Sequence, residues 1–117
     1  MTIKLANDAK EKVGIFSGVY EISADVNGKP SYRLGGKAIW YNVDRKQWFF
    51  GAIDDVGSYT GYIFAVDNFG ELTDLRNVWK YWNGNEWKIA GYDIIVEYDN
   101  TSGTSQFLLN SFTFKNY

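Results

Sequence analysis

The chain has 117 residues, 12 Lys and Arg against 14 Asp and Glu, 19% aromatic residues including 5 Trp, and neither His nor Cys. A chain of this length buries about two thirds of its unfolded surface around one core, so a single domain over residues 1–117 is expected, without disulfide or metal staples. The missing His and Cys remove the commonest neutral-pH base, the thiolate nucleophile and the usual zinc, copper and haem ligands. The formal charge of -2 carries only a diffuse basic set (Lys29, Arg33, Lys37, Arg45, Lys46), so no nucleic-acid partner is expected.

The N-terminal residues Met1 to Lys12 are polar and lack an apolar leader core. No run approaches the ~20 apolar residues of a membrane span, so a soluble chain without membrane insertion is expected. The compartment stays open between cytoplasm and secretion with a signal peptide removed, since zero Cys suits a reducing cytosol without requiring it. Within residues 1–14, Leu5, Ala6, Ala9 and Val13 fall near helical spacing, with Asn7 or Asp8 to cap and Gly14 to stop. One short helix or an N-terminal arm is expected there.

From Phe16 onward, β-branched and aromatic residues alternate with polar ones between Gly, Asn and Asp turn signals. Strands are expected at Gly18–Ser23 and Ser31–Leu34 around Asn27-Gly28, whose residues tolerate the positive φ of a tight hairpin. Ala38–Asn42 and Gln47–Ala52 should form a second hairpin across Val43-Asp44-Arg45-Lys46. Tyr62–Val66 follows a Gly- and Asp-rich loop. Val78–Trp82 and Glu86–Ala90 flank Asn83-Gly84, Asp93–Tyr98 comes next, and Gln106–Lys115 closes the set as a central strand or a pairing edge. About eight or nine short strands at even spacing define an all-β domain, either a small antiparallel barrel or a two-sheet sandwich.

The two Trp hairpins resemble one another. Trp40-Tyr41-Asn42 then Gln47-Trp48 matches Tyr81-Trp82-Asn83 then Glu86-Trp87, with the first turn two residues longer; duplication and convergent hairpin grammar both account for this. Strand alternation assigns Trp79, Tyr81, Trp87 and Ile89 to the core and leaves Trp82 exposed at the hairpin tip. On the first hairpin it turns Trp40, Trp48 and Phe50 inward and Tyr41 and Phe49 outward. Exposed rings beside amide and carboxylate side chains suit a sugar, which needs an apolar stacking face and planar hydrogen-bonding groups. The candidate ligand-binding residues are therefore Trp82, Asn83, Asn85, Glu86, Tyr41 and Phe49.

Asp54 and Asp55 are weak calcium candidates, since the alternating ligands of an EF-hand are absent; no metal or other cofactor is expected. A glycosidase would need two convergent carboxylates, for which Asp54, Asp55, Asp67, Glu71, Glu86 and Asp93 are available. Asn100-Thr101-Ser102 has the form of a glycosylation acceptor.

Asn27-Gly28-Lys29-Pro30-Ser31-Tyr32 and Tyr81-Trp82-Asn83-Gly84-Asn85-Glu86-Trp87, with Trp48, Gly51 and Ser58 to Tyr62 between them, resemble a Trp-rich β module with NGxPxY and YW[DN]GxxW motifs, found in invertebrate and unicellular-eukaryote proteins. The resemblance covers roughly residues 18–98. It implies a self-contained β binding module and transfers no catalytic residue; copies in secreted proteins carry cysteines that this chain lacks.

Together these features point to a non-catalytic, lectin-like carbohydrate-binding module whose partner is a glycan or glycoprotein surface. Alternatives are a protein-interaction or self-assembly module forming a homo-oligomer, a β-barrel carrier of a small apolar ligand or chromophore, and, last, a carboxylate enzyme.

Overall fold

The computed structural model describes residues 1–58, 60–67 and 71–98, so the expected Gln106–Lys115 strand and the Asn100 acceptor lie outside the described residues. Strand signals are followed closely, except that the expected Gly18–Ser23 strand divides at Tyr20 between two sheets: β3 (Glu21–Val26), β4 (Lys29–Leu34), β5 (Lys37–Asn42), β6 (Gln47–Ala52), β7 (Ile63–Asp67), β8 (Val78–Trp82) and β9 (Trp87–Ile89) make one seven-stranded antiparallel meander in chain order. A three-stranded antiparallel sheet, ordered β10-β1-β2, joins β1 (Thr2–Leu5), β2 (Gly18–Val19) and β10 (Ile94–Glu97). The alternatives left open by the sequence thus resolve to two sheets packed on one core.

The N-terminus departs from expectation. Thr2–Leu5 alternates polar and apolar side chains and forms the centre of the small sheet, with Ile3 buried opposite Val96. The helix is confined to α1 (Asn7–Val13), which buries Ala9 and Val13. Neither expected cap acts as one: Ala6 is the N-cap, without a side-chain bond. The Asn7 amide instead donates to the Asp93 carboxylate at 2.9 Å. Gly14 is the C-cap that ends α1, as expected, and leads into a 3-10 turn, Gly14–Phe16.

The main core lies between the sheets. Ile3, Phe16, Tyr20 and Ile94 meet Ile39, Trp48, Phe50, Ile63 and Trp79, with Phe50 edge-on to Trp79 at 5.3 Å between ring centroids. A smaller core of Ala38, Trp40 and Phe49 occupies the opposite face of β5 and β6, covered by Val26, Ile53, Val56 and Phe64. Its cover is the connection after β6. The Trp40 indole N–H and the Asn42 amide both donate to the Ser58 carbonyl, at 3.2 and 3.1 Å. Glycine permits the return path: a Cβ on Gly61 would lie 2.8 Å from the Phe50 carbonyl oxygen.

At the Asn27-Gly28 turn both residues take positive φ, 57° and 81°, as the sequence requires. This turn folds back on β5, where the Asn27 amide donates to the Tyr41 carbonyl at 2.8 Å and the Lys29 ammonium stands 5.1 Å from the Tyr41 ring centroid.

Candidate functional site

Pairing in β5–β6 sets Trp40 opposite Phe49 and Tyr41 opposite Trp48. Directly paired residues share a face, so Trp40 and Trp48 point to opposite sides of the sheet, contrary to the expectation that both turn to one interior. Both faces are covered here. Tyr41 is 9% exposed and Phe49 4%, which overturns their expected outward placement and removes them from any surface site.

The second hairpin ends at the rim of the large sheet. Trp82 pairs with Trp87, Tyr81 with Lys88, and Lys80 with Ile89. Four residues separate Trp82 from Trp87, and any even-numbered loop puts Trp87 on the face of Trp82 and Lys80, never on that of Trp79 and Tyr81. The expected burial of Trp79 and Tyr81 is correct. That of Trp87 and Ile89 is not, for they are 38% and 65% exposed. Reading Lys88 as wet misled the sorting: β9 is an edge strand, and all three of its residues are exposed.

The result is a ring ladder that begins in the small core and emerges at the edge. Trp40 stacks on Phe49 at 6.1 Å and Phe49 on Phe64 at 5.9 Å; Phe64 meets Trp87 edge-on at 4.8 Å, and Trp87 meets Trp82 at 5.4 Å. Phe64, Trp87, Lys80 and Ile89 were not among the expected site residues, although Trp87 belongs to the aligned Trp hairpins. Those hairpins carry equivalent pairs. Tyr41–Trp48 and Trp82–Trp87 have centroid separations of 5.3 and 5.4 Å and interplanar angles of 66° and 62°. One pair is sealed in the main core, whereas its counterpart is half open to solvent on the other face.

Asn83, expected to contact ligand, is committed to its turn: its side-chain oxygen accepts from the backbone N–H groups of Asn85 and Glu86, both at 2.8 Å. Asn42 does the same in the first hairpin, accepting from Arg45 N–H at 2.9 Å. Asn85 and Glu86 are exposed at the tip. The structure therefore brings Trp82, Asn83, Asn85 and Glu86 together with Trp87, and leaves Tyr41 and Phe49 inside.

Asp54 and Asp55 lie in the 3-10 turn Ile53–Asp55, where the Asp55 carbonyl accepts from Ser58 N–H at 2.9 Å. Among the described residues no group of three or more His, Cys, Asp or Glu could hold a metal ion. Of the other carboxylates, Asp93 is tied to Asn7 and Glu71 accepts from the Tyr98 hydroxyl at 3.3 Å. Among the described residues no helix is long and apolar enough to cross a membrane. No protein-family model matches the chain, and no curated protein or solved structure is significantly similar to it.

Proposed function

We propose that the chain is a non-catalytic binding module that takes a carbohydrate on the Trp82–Trp87 platform. One observation carries this reading: a cross-strand aromatic pair of the same geometry as the buried Tyr41–Trp48 pair is left half open, with Asn85 and Glu86 exposed beside it. An indole face stacks on the C–H face of a pyranose, while an amide and a carboxylate beside it satisfy ring hydroxyls. Asn83 fixes the turn and so positions its neighbours. The ladder behind Trp87 holds the ring in place before binding, which lowers the ordering cost.

The test is a glycan array followed by intrinsic-fluorescence titration of any hit. Binding that disappears in both Trp82→Ala and Trp87→Ala, with the thermal transition retained, supports the site. An array without hits, or affinity unchanged by both substitutions, overturns it. A self-assembly reading draws on a separate observation, the edge strand β9 with Ile89 exposed and no second partner strand among the described residues. Light scattering over a concentration series separates the two, because assembly makes the mass concentration-dependent.

A further inference from the structure

The open aromatic pair shares its face with a lysine. Across β7, β8 and β9 the register sets Phe64 opposite Lys80 and Lys80 opposite Ile89, with Trp82 opposite Trp87 in the next row toward the tip. Directly paired residues, and residues two apart on one strand, share a face. These side chains therefore point the same way, and Lys80 alone among them is charged. It stands two residues before Trp82, about 7 Å along the strand, and on the diagonal from Trp87 at about 7–8 Å. Phe64 and Trp87 come from the strands on either side of β8, yet their rings meet at 4.8 Å between centroids, so they close over the strand that carries Lys80. Lys80 is accordingly half-buried. A lysine in this setting keeps its stem against the rings and its ammonium at their margin, where poorly solvated surroundings strengthen its attraction for an anion. The platform is thereby polarised, with Asn85 and Glu86 on its tip side and Lys80 on its inner side.

We propose that the platform takes an acidic sugar, a pyranose with a carboxylate on a ring carbon, and that Lys80 holds that carboxylate. The inference rests on the carbohydrate reading above and narrows it. A sugar ring lying on an indole presents its substituents sideways. A carboxyl carbon attached directly to the ring therefore leaves in the plane of the stack, toward the next row of the sheet, where its oxygens accept from the N–H donors of the ammonium. Glu86 sets the direction: its carboxylate repels a second one at the tip, so the acidic end of the sugar points inward to Lys80 and its hydroxyls outward to Asn85 and Glu86. A neutral sugar on the same rings would cover the ammonium without pairing it, at a cost in desolvation. A sulfate ester offers the charge through an additional rotatable oxygen, whose ordering weakens binding, so a uronate is the better match.

The test compares three probes by intrinsic-fluorescence titration of the unmodified protein: uronate oligosaccharides of the gluco, galacto and manno series, the same oligosaccharides with their carboxyl groups reduced to alcohols, and neutral ones carrying a sulfate ester. A uronate should bind about tenfold more tightly than its reduced counterpart, the scale of one charge-assisted hydrogen bond, and added salt should narrow the difference. Lys80→Met keeps the stem and removes the charge; it should bring the uronate down to the affinity of the reduced sugar and leave the latter unchanged, while Lys80→Arg keeps the preference. Equal affinity for uronate and reduced sugar, or tightest binding of the sulfate ester, overturns the acidic-sugar assignment, and loss of that binding in Trp87→Ala would show that the platform itself stands. A preference that survives in Lys80→Met also overturns the assignment. Binding of no probe does so too, and a glycan array without hits then removes the platform as well. The ratio of uronate to reduced-sugar affinity in the parent decides the matter even where Lys80→Met fails to fold.

Discussion

The Tyr81 phenol donates a 2.5 Å hydrogen bond to the Asp8 carboxylate, tying β8 to α1 across 73 residues of sequence. Asp8, read as a cap, thereby serves as a tertiary anchor. Removing the hydroxyl in Tyr81→Phe should cost about 1 kcal/mol, below the range for a bond to a buried charged group because Asp8 is exposed. Urea denaturation of the two proteins checks this value.

The same contact gives a pH dependence. Burial, followed by the hydrogen bond and charge of Asp8 and the charge of Asp93, pushes the Tyr81 hydroxyl up from 10.0 to about 12. A group whose proton is held more tightly in the folded state stabilises the fold fully below its unfolded pKa. That contribution fades as pH rises toward the folded value. Stability should therefore fall between about pH 10 and 12, and Tyr81→Phe should flatten the fall. Burial raises the Tyr20 hydroxyl as well, so the variant keeps part of the dependence. A profile identical to the parent's would show that Tyr81 titrates without linkage to folding.

The two hairpin asparagines should differ in cost although both hold a turn. Asn83→Ala removes one acceptor serving two N–H groups at an exposed tip, worth about 1 kcal/mol. Asn42 is 2% exposed and, besides accepting from Arg45, donates to the Ser58 carbonyl that covers the small core. Its replacement by Ala should cost about 2–3 kcal/mol, because it removes both of these bonds from a buried position. Equal losses in chemical denaturation would mean that the Ser58 bond contributes nothing.

Strand positions and turns were legible because alternation and turn chemistry are local. Val78–Trp82 and Gln47–Ala52 coincide with their expected limits, and Asn27-Gly28 adopts its required backbone. What escaped was set at a distance. Tyr41 and Phe49 are both buried because the connection that follows β6 folds over one face of β5 and β6, while the small sheet covers the other. Trp87 was recoverable by loop parity: with four intervening residues it must share Trp82's face, whatever its charged neighbours suggest. The Thr2–Leu5 strand was obscured by the helical spacing of Leu5, Ala6, Ala9 and Val13, yet Ile3 between Thr2 and Lys4 carries the strand alternation.

The covering connection also predicts a steric effect. A Cβ on Gly61 would stand 2.8 Å from the Phe50 carbonyl oxygen and 3.1 Å from the Phe49 ring, where backbone must yield. Gly61→Ala should lower stability by about 1–3 kcal/mol, the range for overpacking. Gly36→Ala, with nothing near the added carbon, should stay within about 0.5 kcal/mol of the parent. Thermal unfolding of both variants decides the matter, and matched melting temperatures would contradict the close approach.

The equivalent aromatic pairs allow packing and recognition to be separated by paired substitutions. Trp48 is 3% exposed in the main core, and Trp48→Ala should cost about 3–5 kcal/mol through lost burial and a residual cavity. Trp87 occupies the corresponding place in the open pair. It touches Phe64 and Trp82, but solvent already reaches much of its ring, so Trp87→Ala should cost only about 1 kcal/mol, on the scale of an aromatic pair contact. If the platform serves recognition, Trp87→Ala abolishes glycan binding while the fold persists, and a stability-matched conservative core variant, Ile39→Val, leaves binding intact. A Trp87→Ala loss as large as that of Trp48→Ala would identify the outer pair as another structural clamp and remove the reason for its exposure.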